Sequence, residues 1–230
     1  MKLSAPVHRL RRDARRLARS TGSPLHEALD TVARREGFAS WSAMLRRVER
    51  PRPPEEVLDA ASNGLVLLGA RPGQGKTRLG LQVLVEGMRR GRACALFTLE
   101  YTDEQARQRL REVGADTMPV IETSEAIEAA SVLSFLEEAG PGAVVLIDYL
   151  QLLDQQRTKP PLHQQLQALE HGARAHGALV VCLSQIDRGF DEERGTPPDL
   201  DDVRTPNPID VSVFSAACFV HRGQLRLHVP

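Results

Sequence analysis

The stretch VLLGARPGQGKTRLG, Val66 to Gly80, joins a continuous apolar run to a helical run through a glycine-rich loop. Glycine tolerates the positive φ that turns successive backbone N–H groups into one concavity, and such a concavity holds an anion. The helix that begins after the loop offers its N-terminus to the same anion. Lys76 adds a mobile positive charge suited to the β- and γ-phosphates of a nucleotide, and the Thr77 hydroxyl is a ligand for Mg²⁺. The spacing fits a phosphate loop, except that Ala70 stands where the first glycine is usual. Ala70, Arg71, Pro72, Gly73, Gln74, Gly75, Lys76, Thr77 and Arg78 are therefore the candidate binding residues, with ATP and Mg²⁺ the expected ligands. The chain has three lysines (Lys2, Lys76 and Lys159), and one of them falls on the position that the loop requires.

Working outward, short apolar runs alternate with helical patterns. Strands are expected at GLVLLGA, ACALFTLE, MPVIET, AVVLIDYLQLL and ALVVCLSQ, and a terminal hairpin over AACFVHRGQLRLHVP turning at Arg222–Gly223. Helices are expected over KTRLGLQVLVEGMRR, TDEQARQRLREV, Ser124 to Ala139, and Leu162 to His176. Strands that are apolar throughout are buried on both faces, so the pattern predicts an α/β fold with a mostly parallel sheet flanked by helices. Such sheets bind ligands at their carboxyl ends. Three polar residues stand at those ends. Asp148 closes the run Ala143 to Ile147 and can hold Mg²⁺ through a water. Glu100 closes CALFTLE and can orient and polarise an attacking water. Gln185 follows VVCLS and can report the γ-phosphate by hydrogen bonding.

The first fifty residues have a different texture. Leu3, Val7, Leu10, Ala14 and Leu17 recur at helical spacing, with arginines on the remaining positions. A second helix is expected from Ser23 as cap and Pro24 in the first turn to Gly37 as terminator. ASWSAMLRRVER suggests a third, with Trp41, Met44, Leu45 and Val48 turned inward. Then ERPRPPEEV reads as a stiff proline-rich linker. The expected division is a helical unit at 1–50, a linker at 51–63 and an α/β domain at 64–230. Formal net charge is zero, yet residues 1–52 carry 13 Lys and Arg against 5 Asp and Glu, and residues 53–230 carry 17 against 25. A basic segment of this kind suits nucleic acid or an acidic partner.

No apolar run reaches the roughly 18–20 residues needed to span a bilayer, and no apolar segment follows the basic N-terminus. A cytoplasmic, non-membrane protein is expected. Cys94, Cys182 and Cys218 each sit inside an apolar run and read as buried packing residues, and no histidine pair has convincing metal-ligand spacing.

The motifs GARPGQGKT, LFTLEY, VVLIDYLQLL, LSQIDRG and PDLDDVR, in this order across about Leu65 to Asp210, resemble the RecA-like ATPase domain of DnaB-type replicative hexameric helicases. The resemblance implies a RecA-like sheet, ATP hydrolysis coupled to single-stranded DNA, and assembly as a homo-hexamer or other homo-oligomer. It also implies phosphate and Mg²⁺ binding by Lys76 and Thr77, a catalytic base at Glu100, a Walker B acid at Asp148 and a sensor at Gln185. Two features depart from it. The Arg-rich helices do not look like the family's usual N-terminal domain. The family's late Lys-x-Arg pair, an arginine finger toward the neighbouring subunit, has no counterpart here beyond Arg222 and Arg226. The loop IDRGFDEERGTPPDLDD carries Arg188, Phe190 and Arg194 but is heavily acidic, so weak DNA contact is expected there and the first helix is the better nucleic-acid candidate.

Three readings follow. The first is an ATP-hydrolysing DnaB-like protein acting on DNA, a reduced helicase. The second is an ATP-switched regulatory or adaptor module whose helical unit binds a protein partner. The third is a recombinase-like ATPase forming filaments on DNA.

Overall fold

The computed structural model describes residues 4–5, 7–49, 53–150, 153, 159–186, 190, 198–203, 210–222 and 224–228, with the side chains of 7–9, 46–49 and 201 left aside. The chain divides into two compact units, Met1–Pro51 and Arg52–Pro230.

The first unit is three helices, α1 (Val7–Thr21), α2 (Leu25–Arg35) and α3 (Trp41–Glu49). Its core is Leu10 and Ala14 of α1, Val32 and Ala33 of α2, and Trp41 and Met44 of α3, with Leu17, Leu29, Phe38 and Leu45 packed around them. Leu3, expected on the same face, lies outside the described residues. The expected cap at Ser23 is not made: its hydroxyl pairs with that of Thr21 at 2.8 Å, and the Pro24 carbonyl receives the Glu27 and Ala28 N–H groups instead. Gly37 ends α2 at φ 84°, the conformation for which glycine is suited. Asp30 anchors the start of α3 by accepting the Trp41 N–H at 2.8 Å.

The segment expected as a linker contains a helix, α4 (Pro53–Leu58). Proline is tolerated in a first helical turn, where N–H groups have no intrahelical partner. Val57 and Leu58 then bury into the second unit, so the connection is shorter than the prolines suggested.

The second unit has a seven-stranded sheet in the order β3-β2-β4-β5-β1-β6-β7. The strands are β1 (Gly64–Ala70), β2 (Cys94–Thr98), β3 (Val120–Glu122), β4 (Val144–Asp148), β5 (Leu179–Gln185), β6 (Phe214–His221) and β7 (Gln224–His228). All neighbours pair parallel except β6 and β7, the antiparallel hairpin. The intervening helices are α5 (Lys76–Arg89), α6 (Asp103–Glu112), α7 (Ala129–Ala139) and α8 (Leu162–Ala175).

Both faces of the sheet are covered, and strand periodicity sorts the side chains between them. Leu65, Leu67, Phe97, Val145, Ile147, Val180 and Cys182 share a cluster with residues of α7 and α8. Val66, Leu68, Ala70, Leu96, Val144, Leu146, Val181 and Leu183 share one with α4, α5 and α6. Close approach of α5 to the sheet depends on Gly80, where an added Cβ would lie 2.9 Å from Leu146 Cδ1.

Several elements are shorter than the apolar runs implied. The run AVVLIDYLQLL is strand only to Asp148; Leu150 and Leu153 continue into the buried core outside the sheet. The helix expected from Ser124 begins at Ala129, whose N–H donates to the buried Gln165 side chain at 2.9 Å. Strand β2 stops at Thr98, two residues before Glu100.

Candidate functional site

The glycine-rich loop lies between the carboxyl end of β1 and the start of α5. Gly73 and Gly75 take φ 79° and 83°, and Gly75 caps α5 in the left-handed region with no side-chain cap. An L side chain in this region costs about 1–2 kcal/mol, which accounts for both glycines. Ala70, at the usual place of a glycine, is the last residue of β1 and fully buried, in extended pairing with Gln185 and Val220. No left-handed conformation is required there, so alanine serves.

The same periodicity that sorts the core brings the polar candidates together. Thr98, Asp148 and Gln185 each stand an even number of residues from strand positions buried on the α5 face, and Thr98 is the register partner of Asp148. They therefore share the face on which α5 begins with Lys76 and Thr77.

Asp148 is 1% exposed, and neither of its carboxylate oxygens has a hydrogen-bond partner among the described residues. Burial pushes its carboxyl up to about 6; Lys76 pulls it down, Glu100 raises it further and the Thr77 hydroxyl lowers it. A buried carboxylate without a donor is costly unless something outside the chain compensates it. Oxygen donors from Asp148 and Thr77 suit a hard cation such as Mg²⁺. The Lys76 ammonium makes no ion pair with a described residue; its charge is felt at Asp148.

Glu100 is exposed, and its backbone N–H donates to the buried Thr98 hydroxyl at 3.1 Å. It borders a cavity of about 670 Å³ lined also by Leu99, Tyr101, Thr102, Thr123 and Tyr149. Its charge acts on both Asp148 and Tyr101. Helix α6 fixes the other side of this corner through a capping box, in which Thr102 and Gln105 satisfy each other's backbone N–H.

Sequence reasoning missed Tyr101 and Arg109, and it did not foresee the contacts of three loop candidates. Tyr101 is held beneath the Arg109 guanidinium at 5.6 Å, and its hydroxyl is raised above the usual phenol value by burial, then by Asp148 and Glu100. Arg78 lines a small cavity with Thr77, Tyr101 and Arg109. The Arg71 guanidinium donates to the Phe190 carbonyl at 3.2 Å, and the Phe190 ring meets His221 edge-on at 5.9 Å. Gln74 accepts the Arg222 N–H at 3.1 Å, tying the loop to the β6–β7 turn. The hairpin signal at Arg222–Gly223 was readable, but nothing local indicated that its turn meets the phosphate loop. Pro72 is exposed. Arg188 and Arg194 lie outside the described residues.

Elsewhere, the three cysteines are buried free thiols, each pushed up to about 12 by burial. Among the described residues no cluster of three metal-binding side chains exists, and no helix is long and apolar enough to cross a membrane.

Known proteins resemble this chain in sequence and in fold. The family described as "ATPase: KaiC" matches residues 61–139. The Replicative DNA helicase DnaB of Synechocystis sp. (strain ATCC 27184 / PCC 6803 / Kazusa) is 27% identical over 188 residues, 64% of this chain and 22% of that protein. The DnaB of Helicobacter pylori (strain J99 / ATCC 700824) is 23% identical over 200 residues, 70% of this chain and 40% of that protein. The chain thus spans less than half the length of either relative. Among solved structures, one described as an ATPase domain superposes with TM-score 0.57 at 19% identity, covering 70% of each chain. A DnaB-like replicative helicase, solved in a study of its interactions with primase, gives TM-score 0.57 at 16% identity over 96% of this chain and 73% of that one. The second unit thus has the fold of a RecA-like domain, and its sequence is similar to that of DnaB-type replicative helicases.

Proposed function

We propose that the α/β unit binds ATP with Mg²⁺, hydrolyses it, and acts on DNA as a reduced helicase-like motor in the cytoplasm. The observation that carries this reading is Asp148, a buried carboxylate with no donor among the described residues, beside the Thr77 hydroxyl and facing the charge of Lys76. The backbone N–H groups from Gly73 to Thr77 receive the phosphates. Lys76 neutralises the β- and γ-phosphates, and Thr77 and Asp148 would hold Mg²⁺, Asp148 through a water. That ion, when bound, supplies charge neutralisation of the phosphates. Glu100 orients the attacking water and takes its proton, while Gln185 donates to the γ-phosphate. Arg71 and Gln74 hold the loop against Phe190 and the β6–β7 turn. Single-stranded DNA and a homo-hexameric ring are proposed from the family resemblance.

A second reading is supported by the ties from Gln74 to Arg222 and from Arg71 to Phe190. They give bound nucleotide a route to surface loops without turnover, as in an ATP-switched adaptor whose helical unit binds a protein partner. ATPase activity measured against protein concentration, with and without single-stranded DNA, separates the two. A motor gives DNA-stimulated turnover that rises faster than linearly with concentration. Nucleotide binding with no turnover under any condition leaves the adaptor.

A further inference from the structure

Helix α1 turns a dense arginine face to solvent. Arg11, Arg12, Arg15, Arg16 and Arg19 are all exposed, and none forms a hydrogen bond or ion pair with another described residue. At 3.6 residues per turn the five occupy a continuous arc of about 140°, opposite the buried Leu10 and Ala14, and extend about 12 Å along the axis. The pairs 11–15, 12–16 and 15–19 are like charges at i,i+4, each destabilising the helix by about 0.2–0.5 kcal/mol. A polyanion relieves the repulsion that water and salt leave.

Among the described residues, none of the unit's own acids pairs with the face. Residues 1–51 carry 12 Lys and Arg against 5 Asp and Glu. Glu36 is engaged by the Ser4 backbone N–H at 2.8 Å and by its hydroxyl, and Asp30 accepts the Trp41 N–H. Asp13 is the one acid within α1, and it falls outside the arc.

The surrounding chemistry selects the partner. Insertion into an anionic membrane would need an apolar helix face, and that face of α1 is already buried in the unit's core, which leaves only weak surface attraction. A single strand would need aromatic platforms for stacking; the arginine face has none, Trp41 is buried in the unit's core and the half-buried Phe38 packs against it. A duplex hides its bases and offers phosphates, which is what an arginine-only face can use. The major groove of B-form DNA, about 12 Å wide, admits a helix about 10–12 Å across, whereas that of A-form RNA is too narrow for side chains to read. An arc of this width reaches both walls of such a groove.

We propose that α1 docks on double-stranded DNA through phosphate contacts from these five arginines, without base-specific readout. This rests on the surface of the helical unit alone and holds whether or not the α/β unit hydrolyses ATP. Five contacts give a slope of about −4.5 for log affinity against log salt, or about 500-fold weaker binding at 200 mM than at 50 mM KCl.

The test is fluorescence anisotropy of the full chain, without nucleotide, on a labelled mixed-sequence 20-base-pair DNA duplex. The single strand and an RNA duplex of the same length, and polyglutamate as competitor, are run in parallel. The expected result is preference for the DNA duplex over the RNA duplex and the steep slope, both unchanged on a second DNA duplex of different sequence. Replacing Arg11, Arg12, Arg15 and Arg16 together by Gln should flatten the slope to about −0.9 while nucleotide-analogue binding persists. Arg15→Gln alone, which leaves helix propensity intact, should lower the slope by about 0.9. A slope shallower than −2, unchanged duplex binding in these variants, or single-strand binding weakened by them as much as duplex binding would overturn the proposal. So would displacement by polyglutamate at matched charge, which marks a general acidic-partner face.

Discussion

Replacing Asp148 by Asn should stabilise the nucleotide-free protein at neutral pH while removing its Mg²⁺-dependent response to nucleotide. The carboxyl is pushed by burial from its usual value of 3.8 to about 6. Between those values the folded state holds a proton that the unfolded state has released, so stability falls as pH rises through that window. The difference corresponds to about 3 kcal/mol at pH 7, where Asp148 is ionised in both states. Asn is the isostere of the protonated acid, so the cost of an unpaired polar group is common to both and cancels. For a domain of this size the gain corresponds to about 6–12 °C in Tm. Thermal unfolding of the wild type and Asp148→Asn, followed from pH 4 to pH 8, should show equal stability near pH 4 and a gap that opens up to about pH 6.5. Added ATP and Mg²⁺ should then raise the Tm of the wild type well above that of the variant. A variant equal to or less stable than the wild type at pH 7, or a gap independent of pH, would refute the reasoning.

Two further outcomes are expected. Glu100→Gln should retain nucleotide binding, measured with a fluorescent ATP analogue, while turnover falls by about 10²–10⁴-fold; equal turnover would remove Glu100 from the mechanism. Trp41→Ala empties much of the small core formed with Leu10, Ala14, Val32, Ala33 and Met44, at a cost of about 3–5 kcal/mol. A three-helix unit this small has little stability to spare. The variant should therefore lose helical circular dichroism at 25 °C, while nucleotide-analogue binding by the other unit persists.

Much of the fold was legible because its strands are buried on both faces and its glycines are conformationally obligatory. GLVLLGA, the loop glycines and the start of α5 are found where the residues place them, since an apolar run followed by positive-φ positions has few other local solutions. Element ends were less legible. The apolar run after Asp148 and the prolines before Val57 carried signals that packing overrode: Leu150 and Leu153 bury outside the sheet, and Pro53 and Pro54 open a helix. Of the candidate site residues, Lys76, Thr77, Asp148 and Gln185 stand at a helix start or a strand end as the local pattern placed them, whereas Glu100 lies two residues beyond the end of β2.

What the sequence by itself determined is the set of chemical groups and the α/β class, since both depend on residue type and short-range periodicity. Tertiary structure alone decided which groups meet. Strand order sets β4 and β5 beside each other and β1 next to β5, and strand parity puts Asp148 on the same face as Thr77. Burial at that place raises its carboxyl, and the β6–β7 turn, far along the chain, is returned to Gln74. These are distances across the fold, and no local pattern encodes the free energy that depends on them.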